Sequence, residues 1–320
     1  MTRTKVIVTR RLPDAVEARM RTLFDVRLRE DDRPLTREEL AAADCDVLVP
    51  TLTDTIDAAV ISAFGPTLKL IAGFGAGTDH IDLQATEARG IAVTNTPRVL
   101  TEDTADIFLA LILSAARGLG EGERLLRAGG WTGWSPTNLM GRSLTGKALA
   151  IVGMGRIGRA LARRARACGM HIHYHNRRRL DAAAEAETDA RWWPKLDPLL
   201  AAADVVALCC PYSAETHHLI DARRLGLMKR GAFLINAARG AVVEEPALVE
   251  ALERRVIAGA GFDVYLNEPE VNPRLNALPN VTLLPHLGSA TIESRTAMGE
   301  KVIANILAWI RGEELPDRVV

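Results

Sequence analysis

The chain has 320 residues, and its 40 Lys and Arg side chains are balanced by 40 Asp and Glu, for a formal net charge of zero. That neutrality argues against a dedicated nucleic-acid binder, which shows a basic excess. A hydrophobic fraction of 48% and a charged fraction of 25% argue against long disordered stretches and against a membrane protein, and the length suggests two domains.

In chain order, Lys5 to Thr9, Asp46 to Pro50, Lys69 to Phe74 and Ile91 to Thr94 read as strands, separated by segments of helical period at Pro13 to Leu23, Asp57 to Phe64 and Asp82 to Arg89. This alternation predicts a parallel sheet with helices on both faces. Thr101 to Gly118 reads as a long helix running from one domain to the next, with Asp103 and Asp106 near its start. Its apolar stretch, Ile107 to Ala116, is far shorter than the roughly 20 residues a bilayer requires. Glu121 to Leu144, with Gly129, Gly130, Trp131, Gly133, Trp134 and Pro136, reads as a protruding arm without core secondary structure.

A second strand series begins at Ala148 to Val152 and continues at His171 to His175, Val205 to Cys209, Ala232 to Asn236, Gly259 to Asp263 and Val281 to Leu284. These six strands suffice for a complete dinucleotide fold. Ala290 to Arg311 is again helical in period and suits a return to the first domain. Met1 to Arg11 lacks the apolar core of a signal peptide, so the expected location is cytoplasmic. Cys45, Cys168, Cys209 and Cys210 lack paired spacing; they read as buried free thiols, with no metal site expected.

Gly153-Met154-Gly155-Arg156-Ile157-Gly158 follows a strand and opens a helix. The glycines permit a tight turn, backbone approach to a pyrophosphate and close helix packing, while the helix N-terminus offers amide donors. An NAD site usually places a carboxylate at the end of the next strand. Here Asn176 stands there, followed by Arg177, Arg178 and Arg179. Losing the carboxylate removes repulsion against a 2′-phosphate, which guanidinium groups bind well, so NADPH is the expected cofactor with NAD possible. The bland alternative for the arginines is a solvated charge run.

Ligands of doubly wound sheets sit beyond the carboxyl ends of the strands. Arg239, Asp263, Glu268 and His286 all lie at such ends or in the loops that follow. His286 would supply a proton to the alkoxide formed when a 2-oxo acid is reduced, Glu268 would orient its ring, and Arg239 would bind the substrate carboxylate. Each alone has an ordinary structural reading. The loop Gly73 to Asp79 would present backbone amides to an anion or serve as a plain glycine-rich turn.

Taken together, these segments resemble the D-2-hydroxyacid dehydrogenase family over essentially the whole chain. The matching features are Gly73 to Asp82, Asn95-Thr96-Pro97, Thr104-Ala105-Asp106, Gly153 to Gly158, Asn236 to Gly240, Gly261 to Val264, Asn267-Glu268-Pro269 and Pro285 to Thr291. Trp131 to Trp134, Tyr174 to Arg178 and Arg311 to Pro316 make it most similar to the glyoxylate/hydroxypyruvate reductase type.

The resemblance implies two doubly wound α/β parallel-sheet domains. A flavodoxin-like substrate domain would comprise 1–99 and 290–320, and a Rossmann cofactor domain 100–289, with a dimerisation arm at about 119–146. It implies Arg239, Glu268 and His286 as the catalytic group and Ala76 and Gly77 as amides for the substrate carboxylate. Leu52 and Ser289 would border the pocket, and Asp263 would touch the nicotinamide carboxamide. Thr104, Arg156, Ile157, Cys210, Pro211, Thr216 and Ala237 fall where the family touches its cofactor. The expected partners are a small 2-oxo or 2-hydroxy acid and a second copy of the chain, with no nucleic acid and no membrane. Competing readings keep the fold but take another 2-oxo acid or phosphite, or make the chain a non-enzymatic dinucleotide-sensing corepressor; the lack of disordered tails favours the enzyme.

Overall fold

The computed structural model describes residues 3–320; Met1 and Thr2, with which the first expected domain and the segment Met1 to Arg11 begin, lie outside the described residues. Two compact units form, Met1–Leu100 with Ser289–Val320, and Thr101–Gly288.

The first unit is built on β1 (Lys5–Val8), β2 (Asp25–Arg27), β3 (Val47–Val49), β4 (Leu70–Ala72) and β5 (Ala92–Thr94). They pair in parallel in the order β2-β1-β3-β4-β5, the flavodoxin-like arrangement. β3 and β4 are apolar throughout because both faces are covered. One face packs with Leu40, Ile56, Ile61 and Phe64, the other with Val16, Met20, Val302 and Ile306. The helices Ala58–Ala63 and Leu83–Ala88 begin where Asp57 and Asp82 accept the backbone N–H groups of Val60 and Ala85. The helix Ile292–Arg311 lies against Asp14–Leu23, with Gly299 leaving room for Val16. Beyond it the chain end pairs with the outer edge of β5, Val93 N–H donating to Val320 O and Val319 N–H to Val93 O. β2 was not among the expected strands: Asp-Val-Arg is short, half exposed and at a sheet edge, so it carries no apolar run.

The second unit has β6 (Ala148–Val152), β7 (His171–His175), β8 (Ala190–Trp192), β9 (Val205–Leu208), β10 (Phe233–Asn236), β11 (Gly259–Phe262) and β12 (Val281–Leu283). All run parallel in the order β12-β11-β10-β9-β6-β7-β8. Strand order reverses between β6 and β9, which makes their ends the switch point of a Rossmann sheet. The sheet therefore has seven strands and not the six expected; β8 is another short, half-exposed edge strand. The helix Thr101–Arg117 belongs to this unit and packs on the sheet where Gly261 lacks a side chain, a Cβ there standing 3.1 Å from Leu111 Cβ.

The expectation of an arm without regular structure is corrected at its start. Leu119–Arg127 is helical, and Gly120 and Gly122 masked its period. Residues 128–147 carry no helix or strand, and Trp134 and Met140 are 82% and 74% exposed. The cysteine expectation also needs adjustment: all four thiols are free, with Cys45 and Cys210 buried and Cys168 and Cys209 partly buried. Among the described residues no helix is long and apolar enough to cross a membrane, and no His, Cys, Asp and Glu group could hold a metal ion.

Candidate active site

β6 is followed directly by Gly153, whose φ of +99° only glycine adopts readily. A Cβ there would lie 2.6 Å from Cys210 N, so the turn is pressed against the loop after β9. Gly158 is equally constrained, its Cβ position lying 2.5 Å from Gly153 O, which seats the helix Arg156–Ala167 on the strand. Gly155 differs: nothing lies within 4 Å of its missing Cβ. A bare backbone facing open space at a helix N-terminus is the cradle a pyrophosphate requires, so these residues fit a dinucleotide.

Asn176, at the end of β7, accepts the Met154 N–H at 2.7 Å and so fastens the glycine turn. Its backbone oxygen accepts the Trp192 Nε1–H at 3.3 Å. Arg177 and Arg178 are exposed, Arg177 standing 3.9 Å from Glu215. Arg179 is drawn away: it pairs with Glu185 at 2.8 Å and lies over the Trp192 ring. The hydrogen bonds of Arg179 and Tyr174 hold the Glu185 carboxyl at about 2, so this arginine is committed to the β7–β8 edge.

Between β9 and the next strand, Thr216 Oγ1 donates to Pro211 O at 2.9 Å and accepts the Ser213 N–H at 2.8 Å, shaping the loop that carries Cys210. Burial raises the Cys209 thiol well above its usual value and pushes Cys210 to about 11, so neither forms a thiolate near neutral pH.

The loops after β10, β11 and β12 hold Arg239, Glu268 and His286. Buried Asn236 shapes the first of these, donating to Arg239 O at 2.8 Å and accepting the Ala238 N–H at 3.0 Å. Ala237, between them, is half-buried. Gly240 then presses its backbone on Tyr265 and Leu266, where any Cβ would collide. Tyr265 anchors the second loop, its hydroxyl donating to Leu284 O at 2.8 Å and its N–H to Glu268 Oε1 at 2.9 Å.

The other Glu268 oxygen lies 2.6 Å from His286 Nδ1. Burial pushes the Glu268 carboxyl up, yet the hydrogen bond from His286, the Tyr265 N–H and the positive charge of Arg239 together hold it below its ordinary value. A carboxylate only accepts, so Nδ1 carries the hydrogen and Nε2 is left to exchange a proton.

Asp263 is 1% exposed. Its two oxygens accept the N–H groups of Leu287 and Gly288 at 2.7 and 2.8 Å, tying down the loop that carries His286. Burial raises the Asp263 carboxyl against the pull of those donors. Thr104 Oγ1 closes the same loop by donating to Gly288 O at 2.9 Å. Sequence reasoning missed Tyr265 and Trp192, and named Gly240 only as part of the stretch Asn236 to Gly240, without the backbone contact it makes.

In the first unit, Gly73 N–H donates to Thr94 O, and Phe74 N–H to Pro50 O. The Gly75 and Ala76 carbonyls are taken by Thr96 N–H at 2.9 Å and Asn95 Nδ2 at 2.8 Å. The loop is thus held by donors at its start and by acceptors at Gly75 and Ala76, with Ala76 exposed and Gly77 half-buried. Leu52, after β3, is 41% exposed, and Ser289 is half-buried at the start of this unit's returning segment.

A Rossmann unit with a histidine–carboxylate pair beyond its strand ends defines a nicotinamide-dependent oxidoreductase. Residues 109–288 match the family described as D-isomer specific 2-hydroxyacid dehydrogenase, NAD binding domain. A glyoxylate reductase from Thermococcus onnurineus is 43% identical over 98% of this chain and 95% of that protein. The crystal structure of a glyoxylate reductase from Paecilomyes thermophila superposes with a TM-score of 0.88 at 35% identity, covering 100% of this chain and 99% of that one. An NADPH-dependent glyoxylate/hydroxypyruvate reductase from Sinorhizobium meliloti, in complex with NADP and malonate, does so at 0.87 and 34%, covering 100% and 97%. The chain belongs to the D-2-hydroxyacid dehydrogenase family. It is an NAD(P)-dependent enzyme acting on a small 2-oxo or 2-hydroxy acid.

Proposed function

We propose that this enzyme reduces glyoxylate or hydroxypyruvate, yielding the D-isomer where the product is chiral, with NADPH preferred over NADH. The observation that carries the reading is the 2.6 Å pair between His286 Nδ1 and Glu268, with Arg239 close enough to lower the Glu268 carboxyl. The relatives named glyoxylate reductase support the substrate class, and Asn176 in place of a carboxylate supports the cofactor preference.

The bound dinucleotide supplies the hydride. Gly153 to Gly158, Arg156 and Ile157 receive its phosphates at the helix N-terminus, with Thr104, Cys210, Pro211, Thr216, Ala237 and Asp263 as further contacts. Arg177 and Arg178 take the 2′-phosphate. His286 Nε2 gives a proton to the oxygen that becomes the alcohol, and Glu268 keeps the ring turned and stabilises the charge that comes and goes on it. Arg239 neutralises the substrate carboxylate and polarises the carbonyl, a role that a fixed cation performs without reorganisation. The Ala76 and Gly77 amides are proposed carboxylate donors and Leu52 and Ser289 pocket residues. A second copy of the chain is the proposed partner, bound through the arm that exposes Trp134 and Met140.

The test is the initial rate of cofactor oxidation with glyoxylate and with hydroxypyruvate, each with NADPH and NADH. Fast NADPH oxidation with either acid is expected. Faster NADH oxidation overturns the cofactor preference, and no turnover with either acid overturns the substrate.

A further inference from the structure

In the sheet order β9-β6-β7, the loops after β7 and β9 flank the glycine turn that follows β6. Arg177 comes from the first of these loops and Glu215 from the second, and they meet at 3.9 Å. The contact therefore joins the two loops that lie on either side of the glycine turn. Glu215 is held in place by Ser213, whose Oγ donates to the same carboxylate oxygen at 2.7 Å. Both side chains are otherwise open, at 86% and 71% exposed, so an incoming dianion meets no barrier other than the carboxylate itself. No other acid pairs with Arg177, and Arg178 makes no ion pair among the described residues.

We propose that Glu215 is a specificity-determining residue: it occupies Arg177 when no 2′-phosphate is present and repels that phosphate when it arrives, so it moderates the preference for NADPH. This rests on the reading that Arg177 and Arg178 receive the 2′-phosphate. The chemistry is that of a displaced counter-ion. A phosphate monoester carrying nearly two charges must replace a carboxylate as the partner of Arg177 and then remain near it. A cofactor with a free 2′-hydroxyl pays neither cost and leaves the Arg177–Glu215 contact in place. Neutralising Glu215 thus favours the phosphorylated cofactor alone. In water-exposed surroundings one unit charge at about 4 Å is worth about fivefold in a binding constant, and less as salt rises.

Calorimetric titration of the whole protein with adenosine 2′,5′-bisphosphate and with adenosine 5′-monophosphate tests this directly. Glu215→Gln is expected to tighten the bisphosphate about three- to fivefold at low salt and to leave the monophosphate unchanged, with the gain shrinking at high salt. Arg177→Gln, run alongside, is expected to weaken the bisphosphate selectively. If Arg177→Gln behaves so while Glu215→Gln leaves the ratio of the two affinities unchanged, Glu215 has no part in specificity and the arginine reading survives. If Arg177→Gln does not alter the ratio, the arginine reading falls and this inference falls with it.

Discussion

The backbone of Gly240 rests directly on the Tyr265 carbonyl, closer than any side chain would permit. This contact joins the loop of Arg239 to the loop of Glu268, because Tyr265 N–H also holds the Glu268 carboxylate. Gly240→Ala would drive a methyl group into main-chain atoms that cannot rotate away. We expect it to cost about 1–3 kcal/mol or more of stability. We also expect turnover to fall further than stability does, since the two loops must part for the methyl to fit. Thermal melts and steady-state rates on the same preparation check this, and wild-type turnover would show that the two loops need no fixed spacing.

His286→Ala removes the proposed proton donor without touching the glycine turn. Turnover should fall by about 10²–10⁴, while the affinity for NADPH, read from quenching of tryptophan fluorescence, stays near wild type. Glu268→Gln should also slow the reaction and in addition change the acid response of folding. The Glu268 carboxyl lies below its ordinary value in the fold, so its stabilising contribution is complete above the unfolded-state pKa and is lost as pH falls through the lower folded value. Melting temperatures measured downward from neutrality should therefore fall more steeply in wild type than in Glu268→Gln below about pH 4.5. Parallel curves would sink the assignment.

Asp263 accepts two main-chain donors, and an amide of the same shape accepts only one of them while pointing its own N–H at the other. Asp263→Asn should cost about 1–3 kcal/mol and loosen the segment that carries His286. Hydrogen exchange provides the specific readout: the Leu287 and Gly288 amides, bonded at 2.7 and 2.8 Å in the wild type, should exchange faster in the variant. Unchanged protection would mean that the loop is held by Thr104 and its chain neighbours instead.

Much of this architecture is legible in the amino-acid order because strands buried on both faces, such as Val47–Val49 and Leu149 to Val152, read as unbroken apolar runs. Asp25–Arg27 and Ala190–Trp192 escape that reading because they are edge strands of three residues with little to bury. Leu119–Arg127 hides behind two glycines that its exposed position tolerates. Within the site, His286 and Glu268 stand out as polar residues after strand ends, where doubly wound sheets place ligands. Tyr265 does not, since it works through its own N–H and through a hydroxyl bonded to a distant carbonyl. The run Arg177-Arg178-Arg179 looks uniform in sequence, and only the fold shows that Glu185 and Trp192 claim the third arginine.

The chain end holds the proposed carboxylate-binding loop of the first unit through a series of bonds. Lys301 Nζ reaches both oxygens of buried Asp317 at 2.8 and 2.9 Å, and Asp317 N–H donates to Asn305 at 3.1 Å. Asp317 O accepts the Asn95 N–H at 3.3 Å, and Asn95 Nδ2 donates to Ala76 O at 2.8 Å. Asp317→Ala strands Lys301 beside a buried gap, a change that costs about 3–5 kcal/mol in a fully buried pair. The partial exposure of Lys301 places the loss toward the lower end. Asn95→Ala leaves that network intact and releases only the Ala76 carbonyl. It should raise the Michaelis constant for the oxo acid several-fold while the constant for NADPH and the melting temperature stay near wild type. If both Michaelis constants rise together, Asn95 supports the unit as a whole; if neither moves, the Ala76 and Gly77 amides do not need that anchor.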